Sequence, residues 1–308
     1  RIYAGILQLG NANALNGNAL QIQTGGSLRL NGNSISTTGL NGAGALTNNS
    51  ASIATTLTVN GGGTFTGTIN NGAAATQALT KTGSATLTLQ GNNAFTGATI
   101  IQSGTVQVGG GGNGGRFSGT TSITVSQGAK LQLTNTNGNN VLTDRVNDAA
   151  AITLSGGTFE FNNSGAANTD YSEAAGAVTL AAGASQITTD QSTTGRTSTL
   201  TFTSVTRNTG GSVNFTGGAS GLGASTRNRL DIGGLADGFI GGWATVGSEF
   251  AKYTTDIDIV TAGNQGSVSA FTAADYSTLT EVDWTGSLHV KPAADQTLTA
   301  SRTAASAN

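Results

Sequence analysis

The sequence predicts an all-β fold, a right-handed parallel β-helix. Three observations predict it. Short segments alternate apolar and polar residues along most of the chain, Asn-Gly, Gly-Gly and Ser-Gly pairs punctuate them, and the intervals between segments resemble multiples of one short turn. Period-two alternation marks a strand with one buried side. Apolar residues at helical spacing are nowhere sustained.

The strands follow in order at 27–30, 56–59, 86–89, 105–108, 122–125, 129–133, 151–154, 158–161, 177–180 and 198–202. In each, one face is aliphatic or aromatic and the other carries mostly Thr, Ser, Gln, Lys or Arg. β-Branched Thr suits a pleated, solvated surface. The pairs Asn16-Gly17, Asn31-Gly32, Asn41-Gly42, Asn60-Gly61, Asn71-Gly72 and Asn137-Gly138 supply the positive φ of a sharp corner. A hairpin fold would use the same pairs, so spacing decides. Leu28 to Leu57 is 29 residues, Leu57 to Leu87 is 30, and Leu87 to Val106 and Val106 to Val125 are 19 each. Roughly 15 coils of about 20 residues, stacked at about 4.8 Å, would make a rod about 60–75 Å long. Stacking aligns Leu, Ile, Val and Phe in a narrow core, and corner asparagines build amide ladders along the axis. The single proline fits, because proline deletes a ladder donor.

Composition excludes several functions. The 48 glycines and one proline of 308 residues fall below the share, roughly 25–30%, of an unstructured Gly/Pro tract. No cysteine means no disulfide framework, thiolate catalysis or cysteine zinc site. A net charge of −2 favours neither nucleic acid nor an anionic membrane. No acid precedes Asp144, so residues 1–143 carry only Arg1, Arg29, Lys81, Arg116 and Lys130. The asymmetry reads as drift on a solvated surface or as attraction between opposite ends of successive molecules. The sequence opens at Arg1 without a basic-then-apolar leader, so a signal peptide, if one existed, is expected to have gone already. No run approaches the roughly 18–20 apolar residues of a membrane-crossing helix.

Residues 79–109 carry Lys81 and Gly83, a Thr86-Leu-Thr-Leu89 strand, Gly91 and Asn93, a Phe95-Thr96-Gly97 turn, a second strand, and a closing Gly104-Thr105-Val106. This pattern resembles the autotransporter-associated β-strand repeat of bacterial passenger domains. Phe95 replaces the commoner Tyr, Ala98 stands where a second Gly is usual, and Ser84-Ala85 follow Gly83. The resemblance implies export and a pair of β-helical coils, and implies nothing about catalysis. Residues 5–15 and 61–69 look like degenerate coils of the same family.

Seven of the 16 aromatic residues follow residue 230. Residues 239–253 resemble a segment that follows coil arrays in long, repeat-rich surface proteins. Residues 1–230 are therefore read as β-helix coils, and 231–308 as an aromatic-rich continuation of them or a small appended β module. Phe239, Trp243, Phe250, Tyr253 and Trp284 form a candidate interaction patch, since aromatic anchors dominate interfaces. The other reading is packing within a thicker core.

Catalytic apparatus is not visible. A β-helical polysaccharide-active enzyme needs clustered carboxylates with Arg, Lys or His nearby. Asp256 and Asp258 share a strand face, which reads as a solvated surface or a weak calcium ligand pair. His289 stands alone, no Ser lies in a nucleophile elbow, and residues 109–115 lack both the Lys-Ser/Thr of a phosphate cradle and the Asp of a calcium roll. Arg227 and Arg229 are too small a basic spot for nucleic acid. The expectation is a secreted structural surface protein without catalytic, cofactor or metal residues, a β-helical rod or filament block that extends from, coats or links cells. Neither terminus shows a capping helix, so the partners expected are a second copy stacked end to end or further coils of a longer chain. An adhesin for glycans or matrix is the alternative, with an enzyme or phage tailspike third. No nucleic acid and no membrane insertion are expected.

Overall fold

The computed structural model describes residues 1–110, 114–135, 144–163, 169–218, 221–223, 228–256, 265–276, 288–291 and 304–307. Strands run parallel from rung to rung, in a β-solenoid of about eight turns. Each full turn presents three faces.

The first face stacks the leading halves of Ile35–Gly42 and Thr55–Phe65, then Gln77–Lys81, Thr99–Ile101, Ser122–Ser126, Ala151–Ser155, Val178–Leu180 and Val205–Arg207. On the second lie Leu20–Ile22, the trailing halves of the same two long strands, Thr86–Leu89, Thr105–Gly109, Lys130–Thr134, Thr158–Asn162, Gly183–Asp190, Gly211–Thr216 and Ala244–Val246. The third face begins with Gly5–Gln8, Gly26–Arg29, Ala45–Thr47 and Thr68–Asn70. Among the described residues it narrows to Asn92–Asn93, Arg116–Phe117 and a single bridge at Val146, and widens again with Tyr171–Ala175, Ser198–Phe202 and Asn228–Ile232.

Period two is what makes this stack. Register aligns Ile35, Leu57, Leu79, Thr99, Ile123, Ile152, Val178 and Val205 in one inward column. Leu87, Val106, Leu131, Phe159, Ile187 and Phe215 form another on the second face, all fully buried. Removing such side chains from water is the main stabilising term. Corner asparagines do bond between turns, as Asn135 Nδ2 donating to Asn163 Oδ1 at 2.6 Å shows.

The roughly 15 coils expected from sequence reduce to about eight, a stack of about 40 Å at about 4.8 Å per turn. Turns are longer than the spacing implied. Leu28 to Leu46 advances 18 residues, whereas Leu131 to Phe159 advances 28 and Leu200 to Leu230 advances 30. The added residues enter mainly at one corner, between the second and third faces. Early turns cross it from Phe65 to Thr68 or from Leu89 to Asn92, and later ones from Thr134 to Val146 or from Asn162 to Tyr171. Of the corner glycines, Gly17, Gly32, Gly42 and Gly72 adopt positive φ, but Gly61 does not and lies inside Thr55–Phe65. Asn137-Gly138 lies outside the described residues.

After Ala244–Val246 the direction reverses. A turn at Gly247, φ 64°, returns the chain into Glu249–Asp256, which pairs antiparallel with Ala244–Val246, with Gly238–Phe239 and with Gln265–Ala270. No helix among the described residues is long and apolar enough to cross a membrane.

Candidate functional site

The C-terminal aromatic residues do not share one surface. Glu249–Asp256 is a strand, so Phe250 and Tyr253, three residues apart, point to opposite sides. Phe250 joins Phe239, Phe271, Tyr276 and His289 in an edge-to-face cluster, with ring centroids of Phe239 5.5 Å from Phe250, 5.7 Å from Phe271 and 4.4 Å from His289. Such contacts stabilise by about 0.5–1.5 kcal/mol each beyond area burial. Tyr253 is buried on the other side, where its hydroxyl donates to Asp231 Oδ1, which also accepts the Gly266 N–H at 3.2 Å. Burial and the neighbouring Asp231 carboxylate push that phenol well above its ordinary range. Trp243 packs half-buried against the core. Trp284 lies outside the described residues, as do Asp258 and Arg227. The structure thus brings Phe239 and Phe250 together and separates Tyr253 from them.

Charged groups ring the cluster. Tyr276 donates to Glu249 Oε2 at 2.8 Å and Lys291 donates to Glu249 Oε1 at 2.6 Å, while Lys252 pairs with Asp275 at 2.7 Å. Each ion is paired, and the arrangement ties the reversed strands together rather than pointing a free acid or base outward. Among the described residues no group of three or more metal-ligating side chains stands together.

A second feature lies at the corner between the second and third faces, where the added residues accumulate. The described residues that flank this corner share a buried polar network. Glu173, on the inward side of Tyr171–Ala175, accepts the backbone N–H of Arg145 at 3.0 Å and that of Val146 at 2.9 Å. The Arg145 guanidinium donates to Gly115 O at 2.9 Å and to Asn135 Oδ1. Asn163 Nδ2 continues the network to Ser198 Oγ at 2.7 Å, and Asn228 Oδ1 accepts the Gln191 N–H at 2.6 Å. Burial raises the Glu173 carboxyl to about 8, against the lowering effect of those N–H groups and of Arg145. Burial also lowers Arg145 to about 10. Sequence reading passed over this network, although Glu173 has the parity of Tyr171 and Ala175 and so was placed to face inward.

The 79–109 segment forms consecutive rungs. Lys81 occupies an inward position in register with Val59 and Ile101 and is fully buried. Its ammonium donates to the carbonyl oxygens of Thr82, Gly83 and Ser103, which fastens two successive corners, and burial lowers its pKa. Phe95 and Phe117 meet edge to face at 5.6 Å across the following rung. Residues 79–108 match the family model of the passenger-associated-transport-repeat. The chain carries that repeat. The repeat and the solenoid together fit an autotransporter passenger-like β-helix, and the family is one of secreted or surface proteins. No curated protein and no solved structure matches the chain.

Proposed function

We propose that this chain is a rod section of a bacterial passenger-type surface protein, structural rather than catalytic, which holds loops and faces away from the cell. The observation that supports this reading is that the passenger-associated repeat at 79–108 is two ordinary rungs of one continuous parallel stack. Stacked rungs extend a chain at a fixed pitch and satisfy their backbone donors internally. The Lys81 ammonium, the Glu173 carboxyl and the two terminal nitrogens of Arg145, all buried in the stack, are held by backbone and amide partners.

The open side of Gly5–Gln8, whose side chains are exposed, is where a further coil or a second copy would add by edge pairing. Protease treatment of intact producing cells tests the location. Loss of the chain from undisrupted cells supports it, whereas protection until lysis would place the chain inside and end the proposal. Negative-stain images of the purified chain read self-association, with filaments expected if copies stack and separate short rods if they do not.

A further inference from the structure

The second turn has no strand on the first face. In its place residues 10–18 bend back through successive turns, anchored to the next rung by Thr38 N–H donating to Gly17 O at 3.1 Å and Thr37 Oγ donating to Asn18 O at 2.6 Å. This segment and the outward residues of the first two rungs, Ser34, Ser36, Thr56 and Thr58, enclose an open groove of about 390 Å³, with Asn13 and Asn16 on the opposing wall. The volume falls in the range of small-ligand sites, roughly 300–1,000 Å³.

We infer that this groove binds one or two units of a neutral saccharide. Ser34 Oγ accepts the Thr56 N–H at 2.9 Å and Ser36 Oγ accepts from Asn60 Nδ2 at 2.9 Å. Both oxygens are thereby fixed, and each hydroxyl proton is left to donate outward. The side-chain amides of Asn13 and Asn16 have no partner among the described residues, and each offers two donors and an acceptor. Asn16 is held at φ 47°, so its place on the wall is set by the turn. Sugar hydroxyls both donate and accept, which matches this mixture. No charged residue lines the groove, so an anionic or cationic ligand gains nothing there. The lining also lacks the aromatic and Arg anchors that a protein partner would use.

The face beyond the groove fits the same ligand. Thr58 is in register with Thr80, and after Ile100 the column resumes with Thr124, Thr153, Thr179 and Thr206. Rungs about 4.8 Å apart lie close to the advance of one sugar unit in an extended glycan. A chain leaving the groove along the axis therefore meets a hydroxyl at nearly every unit.

The test is saturation-transfer NMR on the 308-residue chain with neutral cello-, xylo-, manno-, malto- and chito-oligosaccharides, and with oligogalacturonate as the acidic control. At least one neutral series is expected to bind at millimolar concentration. Thr58→Trp fills the groove and should weaken binding by about tenfold or more, which corresponds to about 1.4 kcal/mol. Asn16→Gly keeps the left-handed backbone while removing the amide and should weaken it several-fold. Ser212→Trp, at an outward position of the second face and away from both the groove and the threonine column, should leave it unchanged. If Thr58→Trp loses the β-sheet circular dichroism of the parent, Asn16→Gly decides. Absence of binding by every neutral series, binding of oligogalacturonate alone, or binding unaffected by the groove variants would overturn the inference while leaving the rod proposal standing.

Discussion

Glu173 occupies a place that its column assigns to an aliphatic side chain, since Leu200 and Leu230 follow it in register. The third face explains the exception. Among the described residues it is a single bridge at Val146 in the turn below, and there the backbone N–H groups of Arg145 and Val146 donate to the Glu173 carboxyl rather than to ladder carbonyls. The ordinary carboxyl value of 4.5 rises to about 8, burial being the largest cause. The groups facing it are Arg145, whose charge lowers it, and Asp144, whose charge raises it. The folded protein then holds a proton that the unfolded chain has released, so this group's contribution is present in full below pH 4.5 and is lost as pH rises to about 8. Glu173→Gln keeps a carbonyl acceptor and has no proton to lose. Its urea midpoint should be flatter than that of the parent between pH 5 and about 8, and equal slopes would refute the assignment. Glu173→Leu restores the column but orphans the two donors, so it should be the less stable variant, by about 1–3 kcal/mol per donor.

At the scale of the element, corners limit this fold more than strands do. Gly83 and Gly104 end corresponding corners in consecutive turns, both at φ 69°. A Cβ at Gly83 would lie 1.8 Å from Asn60 O, a backbone atom of the turn below. Gly128 has φ 72° but nothing within 4 Å of its Cβ position. Gly128→Ala should therefore cost only the backbone strain, about 1 kcal/mol, and Gly83→Ala that strain plus displacement of a neighbouring rung, about 3 kcal/mol or more. Urea unfolding of the two variants separates the terms, and equal losses would show that the corners do not abut. Strands were legible in the sequence because alternation is local, and Thr86–Leu89 or Ser122–Ser126 needs no distant information. Face assignment was not legible, because all three faces use the same alternation. Of the four intervals that counted coils, only Leu87 to Val106 joins residues on one face, whereas Leu28, Leu57 and Leu87 lie on three different faces. The aromatic patch was half legible in the same way: composition located the residues, and parity within Glu249–Asp256 already separated Phe250 from Tyr253.

Across the whole molecule each turn of the solenoid touches its neighbours and little else, as in other repeat folds, where stability is a sum over repeats and their interfaces. A local defect should then stay local. Phe159 offers the test. It is fully buried, in register with Leu131 below and Ile187 above, and meets Phe202 edge to face at 5.4 Å across the core. Phe159→Ala leaves a cavity and should cost about 3–5 kcal/mol. The rungs that line the cavity, from Lys130–Thr134 to Gly183–Asp190, should lose amide protection, while Thr55–Phe65 and Gln77–Lys81, several turns away, should keep it. Hydrogen exchange read by mass spectrometry resolves these segments. Protection lost equally along the stack would mean that the turns unfold as one cooperative unit, and a rod assembled from independent rungs would have to be abandoned for a single indivisible core.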